Sequence, residues 1–224
     1  MERITFLTDD GVTVVGDYQE GNGQGAHAGK AALFLHMMPA ARESWRPLAD
    51  RLAGDGFATL AIDLRGHGES TVGPHGTVLD RNAFSDKQHQ EKSRDVDAAV
   101  RWLMEKGFVL TKIALVGASI GANLAIAYAG GHEGIPAVVA LSPGLDYHGV
   151  LTEPSAAAMP RTQKLLLAAS AEDAYSLSSV FRLAQIKEDA EVQAQVDGGH
   201  GTKLLEQVPG FFDYVLYWIE NNVR

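Results

Sequence analysis

The chain has 224 residues, 46% of them apolar, enough for one substantial core, so a single domain spanning residues 1–224 is expected. A formal charge of −9 argues against a nucleic-acid partner, which would need clustered Lys and Arg. The absence of cysteine excludes disulfides, thiolate metal sites and a cysteine nucleophile. The charged, alternating N-terminus does not read as a signal peptide, and no run reaches the roughly 18 apolar residues of a membrane span. A cytoplasmic protein with no membrane partner is expected, its oligomeric state left open.

In chain order, "ITFLT" and "VTVVGDY" flank the turn "DDG" and predict an N-terminal hairpin. The glycine-rich stretch 21–29 predicts a surface loop. "AALFLH" then predicts a strand buried on both faces. Trp45, Leu48, Ala49, Leu52 and Ala53 share one helical face, closed by Gly54 and Gly56, and "ATLAID" predicts another buried strand. From Leu64 to about Gln90 the chain reads as a long loop with one helical turn. Helical spacing returns at Val96, Ala99, Val100, Leu103 and Met104, ending at Gly107. The strands "KIALV", "AVVAL", "KLLLAA" and "AEVQAQV" follow, and a last helix carries Phe212, Val215, Leu216 and Ile219. Residues 154–163 predict a short connection, not an interdomain linker. Apolar strands alternating with amphipathic helices predict a mostly parallel sheet covered by helices on both faces, with ligands bound beyond the carboxyl ends of the strands.

Gly117, Ser119 and Gly121 form the pattern G-x-S-x-G between a predicted strand and a predicted helix. Such a corner is strained, demands tiny neighbours, and lifts the hydroxyl above the sheet, where the N–H of Ile120 points at a developing oxyanion. A serine is a weak nucleophile, so the hypothesis requires an acid and a histidine on later strand ends, in that order. "LLLAASAEDAYS" supplies Glu172 and Asp173, and "VDGGHGT" supplies His200, the histidine in a small-residue loop after the last strand. Asp173 is favoured over Glu172 because a shorter carboxylate orients an imidazole with less freedom, and Asp146 in "SPGLDY" competes with it.

Together, "DLRGHGES", "VGASIGAN", the "AEDAYS" loop and "GGHGT" resemble the α/β-hydrolase superfamily, in its bacterial esterase and dienelactone-hydrolase-like branch, from "LFLH" to the last helix. The resemblance implies a catalytic triad of Ser119, Asp173 and His200. It also implies an oxyanion hole built by the backbone N–H groups of Met37 and Ile120, with Met37 where the family often has Gly and His36 in a structural place. No cofactor or metal is implied. "DLRGHGES", with Asp63, His67 and Glu69, predicts a turn held by Asp63 and Arg65, not a metal site. "GNGQGA" precedes a strand instead of opening a helix, and "AGKAA" lacks the remaining P-loop residues. Met37, Met38, Leu145, Tyr147 and Tyr175, near strand ends, are candidate substrate-binding residues. The stretch after Leu141 is too short for a large lid, so an open site for small to medium acyl esters or thioesters is expected. The rivals are a peptidase or amidase on the same scaffold and a noncatalytic binding protein.

Overall fold

Unbroken apolar runs are stable only where both faces of a strand are covered, and here they form the middle of one sheet. The computed structural model describes residues 1–22 and 27–223. Part of the glycine-rich loop expected at 21–29 therefore lies outside the described residues. The chain opens with the antiparallel pair β1 (Glu2–Leu7) and β2 (Thr13–Gln19). It continues through β3 (Ala31–Leu35), β4 (Ala58–Ile62), β5 (Ile113–Ala118) and β6 (Ala137–Leu141). A two-strand hairpin, β7 (Asp146–Tyr147) with β8 (Val150–Leu151), precedes β9 (Lys164–Ser170) and β10 (Glu191–Gln195). The main sheet runs β1-β2-β4-β3-β5-β6-β9-β10. β2 pairs antiparallel with both β1 and β4, and every other pairing in that sheet is parallel.

Helices cover both faces. On one lie α3 (Ser93–Glu105), α4 (Ile120–Gly131) and α6 (Ala174–Ile186), whose Val96, Leu103, Ile126 and Leu183 pack with Leu33, Leu115 and Val138 of the sheet. On the other lie α1 (Arg46–Gly54) and α8 (Phe211–Asn222), whose Leu48, Leu52, Val215 and Ile219 meet Phe34, Val116 and Leu166. Alternate residues of the central strands thus feed opposite cores, the period-two rule applied to strands covered on both faces. α4 is apolar around its circumference because the sheet, α3 and α5 (Glu153–Ala158) enclose it.

Three local expectations, on Met104, Phe212 and Asp173, are corrected, and the 64–90 and 142–163 segments are as expected. Met104 points to solvent and Phe212 is half-buried, so the buried stripes are narrower than their spacing implied. The 64–90 segment holds short turns and α2 (Asp86–Gln90), opened by a capping box between Ser85 and Gln88. Asp173 caps α6 directly, its carboxylate accepting from the Ser176 N–H, where a loop is expected. Residues 142–163 hold only the β7–β8 hairpin and α5. Among the described residues no helix is long and apolar enough to cross a membrane.

Candidate active site

Ser119 stands at the junction of β5 and α4, with φ 55° and ψ −123°. This is a strained conformation for a residue with a side chain. Its N–H still donates to the Leu141 carbonyl at 2.8 Å, and its carbonyl accepts from Ala122 and Asn123, so strand ladder and helix both grip the corner. A Cβ on Gly117 would lie 2.2 Å from the Gly121 carbonyl oxygen, and one on Gly121 would lie 2.2 Å from that of Leu35. The two glycines therefore let the first turn of α4 sit on the end of its own strand and on the end of β3. Ile120 opens α4, so its N–H has no acceptor within the helix. The Gly121 contact sets the first turn of α4 against Leu35 and His36, the residues that precede Met37.

His200 and Asp173 are in direct contact, Nδ1 to Oδ2 at 2.6 Å. Burial opposes the charge on Asp173. Hydrogen bonds from Ser176 and His200 outweigh it and hold the carboxyl below its usual range. The loop bearing His200 is tied down at three points. Ser170 Oγ donates to the Gly199 carbonyl at 2.7 Å, the Gly201 N–H donates to Ser142 Oγ at 2.8 Å, and Glu172 accepts from the N–H groups of Gly198 and Gly199. Gly201, at φ 64°, presses against the Met37 side chain and Ala118, which carries the loop over the end of β5. Glu172 thus anchors the histidine loop, and Asp146 binds the Gly149 N–H in its own turn, so neither competes for the imidazole. Ser142, itself at φ 51°, gives no signal in the sequence as a loop anchor.

His36 is buried beside the β3 end. It accepts from the Leu64 N–H at Nε2 and donates from Nδ1 to the Met37 carbonyl at 2.8 Å. Burial lowers its pKa to about 4, so it is a neutral strut for the Met37 peptide. The 63–70 turn is held by its acid and its arginine, though not by pairing them with each other. Asp63 binds Arg42 and the Glu69 N–H, and Arg65 binds Asp95 and Asp10. Among the described residues no group of three or more His, Cys, Asp or Glu side chains is placed to hold a metal ion.

The candidate wall residues divide by face. Met37 packs with the α1/α8 core, whereas Met38, Leu145 and Tyr147 pack with the α3/α4/α6 core, so the rim around Ser119 is lined from both sides. Tyr175 is less a wall than a brace, its hydroxyl exchanging hydrogen bonds with the backbone of Asp146 and its ring meeting Tyr147 edge-on. Ser119 and His200 make no direct hydrogen bond among the described residues. The Ser119 hydroxyl is near enough to the Tyr147 phenol to oppose, in small part, the rise that burial imposes on the phenol pKa. A cleft of about 540 Å³ opens near Thr111, Pro136 and Lys164, at the opposite ends of the strands.

Beneath Met38 is a group that the sequence does not reveal. Lys92 is fully buried, and its ammonium meets His89 Nδ1 at 2.8 Å, His67 Nε2 at 3.3 Å and Met38 Sδ at 3.5 Å, with no carboxylate in contact. Burial lowers its pKa to about 8. Between that value and the ordinary 10.5 the folded chain binds fewer protons than the unfolded one, so stability contributed through Lys92 rises with pH across this window. Lys92→Met lacks that increment. Its stability relative to the parent should fall by up to about 3 kcal/mol between pH 8 and 10.5, read by urea unfolding at each pH.

A parallel sheet whose strand-to-helix corner presents a strained serine, with a carboxylate–imidazole pair on neighbouring strand ends, defines the α/β-hydrolase class. A family model described as "alpha/beta hydrolase fold" matches residues 31–186, and the chain belongs to that family. Its backbone is similar to that of the Pyrococcus furiosus esterase Pf2001, with a TM-score of 0.80 and 18% identity over 100% of this chain and 93% of that one. It is also similar to dienelactone hydrolase from Anabaena variabilis, with a TM-score of 0.69 and 18% identity over 99% and 96% of the two chains. A putative aryl esterase from Burkholderia cenocepacia gives 0.75 and 16% over 99% of each. No curated protein matches the chain by sequence.

Proposed function

We propose that this chain is a serine hydrolase that cleaves carboxylic esters or thioesters of small to medium acyl groups through an acyl-enzyme. The observation that carries the reading is the 2.6 Å His200–Asp173 contact on a loop packed against the end of the strand that bears Ser119. His200 Nε2 takes the Ser119 proton as the hydroxyl attacks the carbonyl carbon, and the N–H groups of Met37 and Ile120 receive the oxyanion. Asp173 holds Nδ1 protonated, which keeps Nε2 free to accept. The imidazolium then protonates the departing oxygen or sulfur, and water, deprotonated by the same imidazole, releases the acid. The names of the structural neighbours, two of them esterases, agree with ester chemistry.

The short 142–163 connection, which holds only the β7–β8 hairpin and α5, supports a lightly covered site and hence modest acyl groups. A panel of nitrophenyl esters and matching thioesters of graded chain length tests this. The expected optimum lies at short to medium chains, with aminoacyl anilides turned over poorly. Preference for long-chain triglyceride, or for the anilides, would overturn the substrate class.

A further inference from the structure

The β7–β8 hairpin is held over the serine by α4 itself. Asn123, fully buried one turn beyond Ser119, accepts from the Gly144 N–H at 2.9 Å and donates to the Val150 carbonyl at 2.7 Å. Thr152 Oγ1 closes the base of the hairpin by donating to the Gly144 carbonyl at 2.8 Å. So anchored, the hairpin delivers Tyr147. Its hydroxyl lies 3.0 Å from Ser176 Oγ and near the Ser119 hydroxyl, and its ring meets the His200 imidazole edge-on with centroids 6.4 Å apart. Ser176 is fixed in turn, its N–H on Asp173 Oδ1 and its Oγ on the Ser142 carbonyl. Phenol, Ser176, acid and imidazole thus form a ring of contacts at whose edge the Ser119 hydroxyl lies.

We propose that Tyr147 is a further catalytic residue, whose phenol holds the departing alcohol oxygen and, in the second step, the attacking water. This rests on the reading of Ser119 and His200 as nucleophile and base. A tetrahedral carbon on Ser119 Oγ carries three other groups. The oxyanion faces the N–H groups of Met37 and Ile120. The leaving oxygen must face His200, which protonates it, and Tyr147, its ring edge-on to the imidazole and its hydroxyl near Ser119, stands at that place. As the acyl carbon–oxygen bond breaks, its electron pair goes to the alcohol oxygen, the proton comes from the imidazolium, and Tyr147 turns its one O–H from Ser176 Oγ to that oxygen, donating a hydrogen bond without transferring its own proton. In the second step water occupies the same place. Its proton goes to His200, its oxygen bonds the acyl carbon, and Ser119 leaves with the proton that His200 returns. Burial, the largest influence on Tyr147, raises its pKa, which keeps the phenol a donor throughout.

Tyr147→Phe tests this, because it keeps the ring and removes only the hydroxyl. A poor leaving group needs the hydrogen bond and a nitrophenolate does not. On an ethyl ester kcat/KM should fall about 10- to 100-fold, and on the nitrophenyl ester of the same acid less than about threefold. Ser176→Ala, which frees the phenol from its partner, should show the same dependence on leaving group with a smaller loss. Equal losses on both esters, or no loss on either, would overturn the role of Tyr147. Fluorophosphonate labelling of the unaltered protein separates the two readings: its absence removes the serine hydrolase itself, whereas its presence with an unaffected Tyr147→Phe removes only this role.

Discussion

Ser119→Ala is expected to lower kcat by about 10⁶ while leaving the protein folded. The residue is 8% exposed, and its hydroxyl makes no capping hydrogen bond to α4. Removing it therefore opens no gap in the strand ladder, which runs through the Ser119 N–H to Leu141. The backbone strain at φ 55° stays the same with alanine, so stability changes little. What is lost is the atom that forms the acyl bond. The residual rate would come from the Met37 and Ile120 donors alone. Steady-state turnover and a thermal melt on the same preparation check both halves. A loss of less than about tenfold in a folded protein would remove Ser119 from the reaction.

Asp173→Asn is expected to cost about 10⁴ in kcat. Asparagine keeps the shape and can still accept the Ser176 N–H, so α6 remains capped. At the imidazole the outcome differs. The carboxylate accepts the Nδ1 proton at 2.6 Å, whereas an amide that turns its NH₂ toward Nδ1 forces the proton onto Nε2. The ring then presents a donor to Ser119 where an acceptor is required, and no charge remains to stabilise the imidazolium. KM should change far less than kcat, since Asp173 touches no substrate. A variant with equal losses in both would indicate displacement of the His200 loop instead.

The parts of this molecule legible in the sequence are those where a physical constraint restricts residue type over several positions. Buried strands must be apolar without interruption, and "ALFL", "IALV" and "LLLAA" are. The corner at Ser119 tolerates no Cβ on either side, so two glycines mark it. The loop that crosses from β10 to Met37 needs left-handed turns, so Gly198, Gly199 and Gly201 surround His200.

Long-range contacts leave no such trace. The β7–β8 hairpin has two residues per strand, too short for any alternation, and its hold on Asn123 joins positions up to 27 residues apart. α6 was hidden because Asp173 serves as strand exit, imidazole partner and helix cap at once, and read alone it suggests a loop. Lys92 falls on a helix-like pattern as an ordinary polar residue, and only tertiary packing buries it among His67, His89 and Met38. The orientation of Tyr147 toward Ser119 likewise comes from anchors distant in sequence, Asn123 and Ser176.

Incubation with a fluorophosphonate, followed by digestion and mass spectrometry, measures the reactivity of the corner directly. The expected adduct sits on the peptide containing Ser119, forms slowly when His200 is replaced, and is absent from Ser119→Ala. An adduct on a different residue, or none on a folded protein, would mean that the serine above this sheet is not a nucleophile.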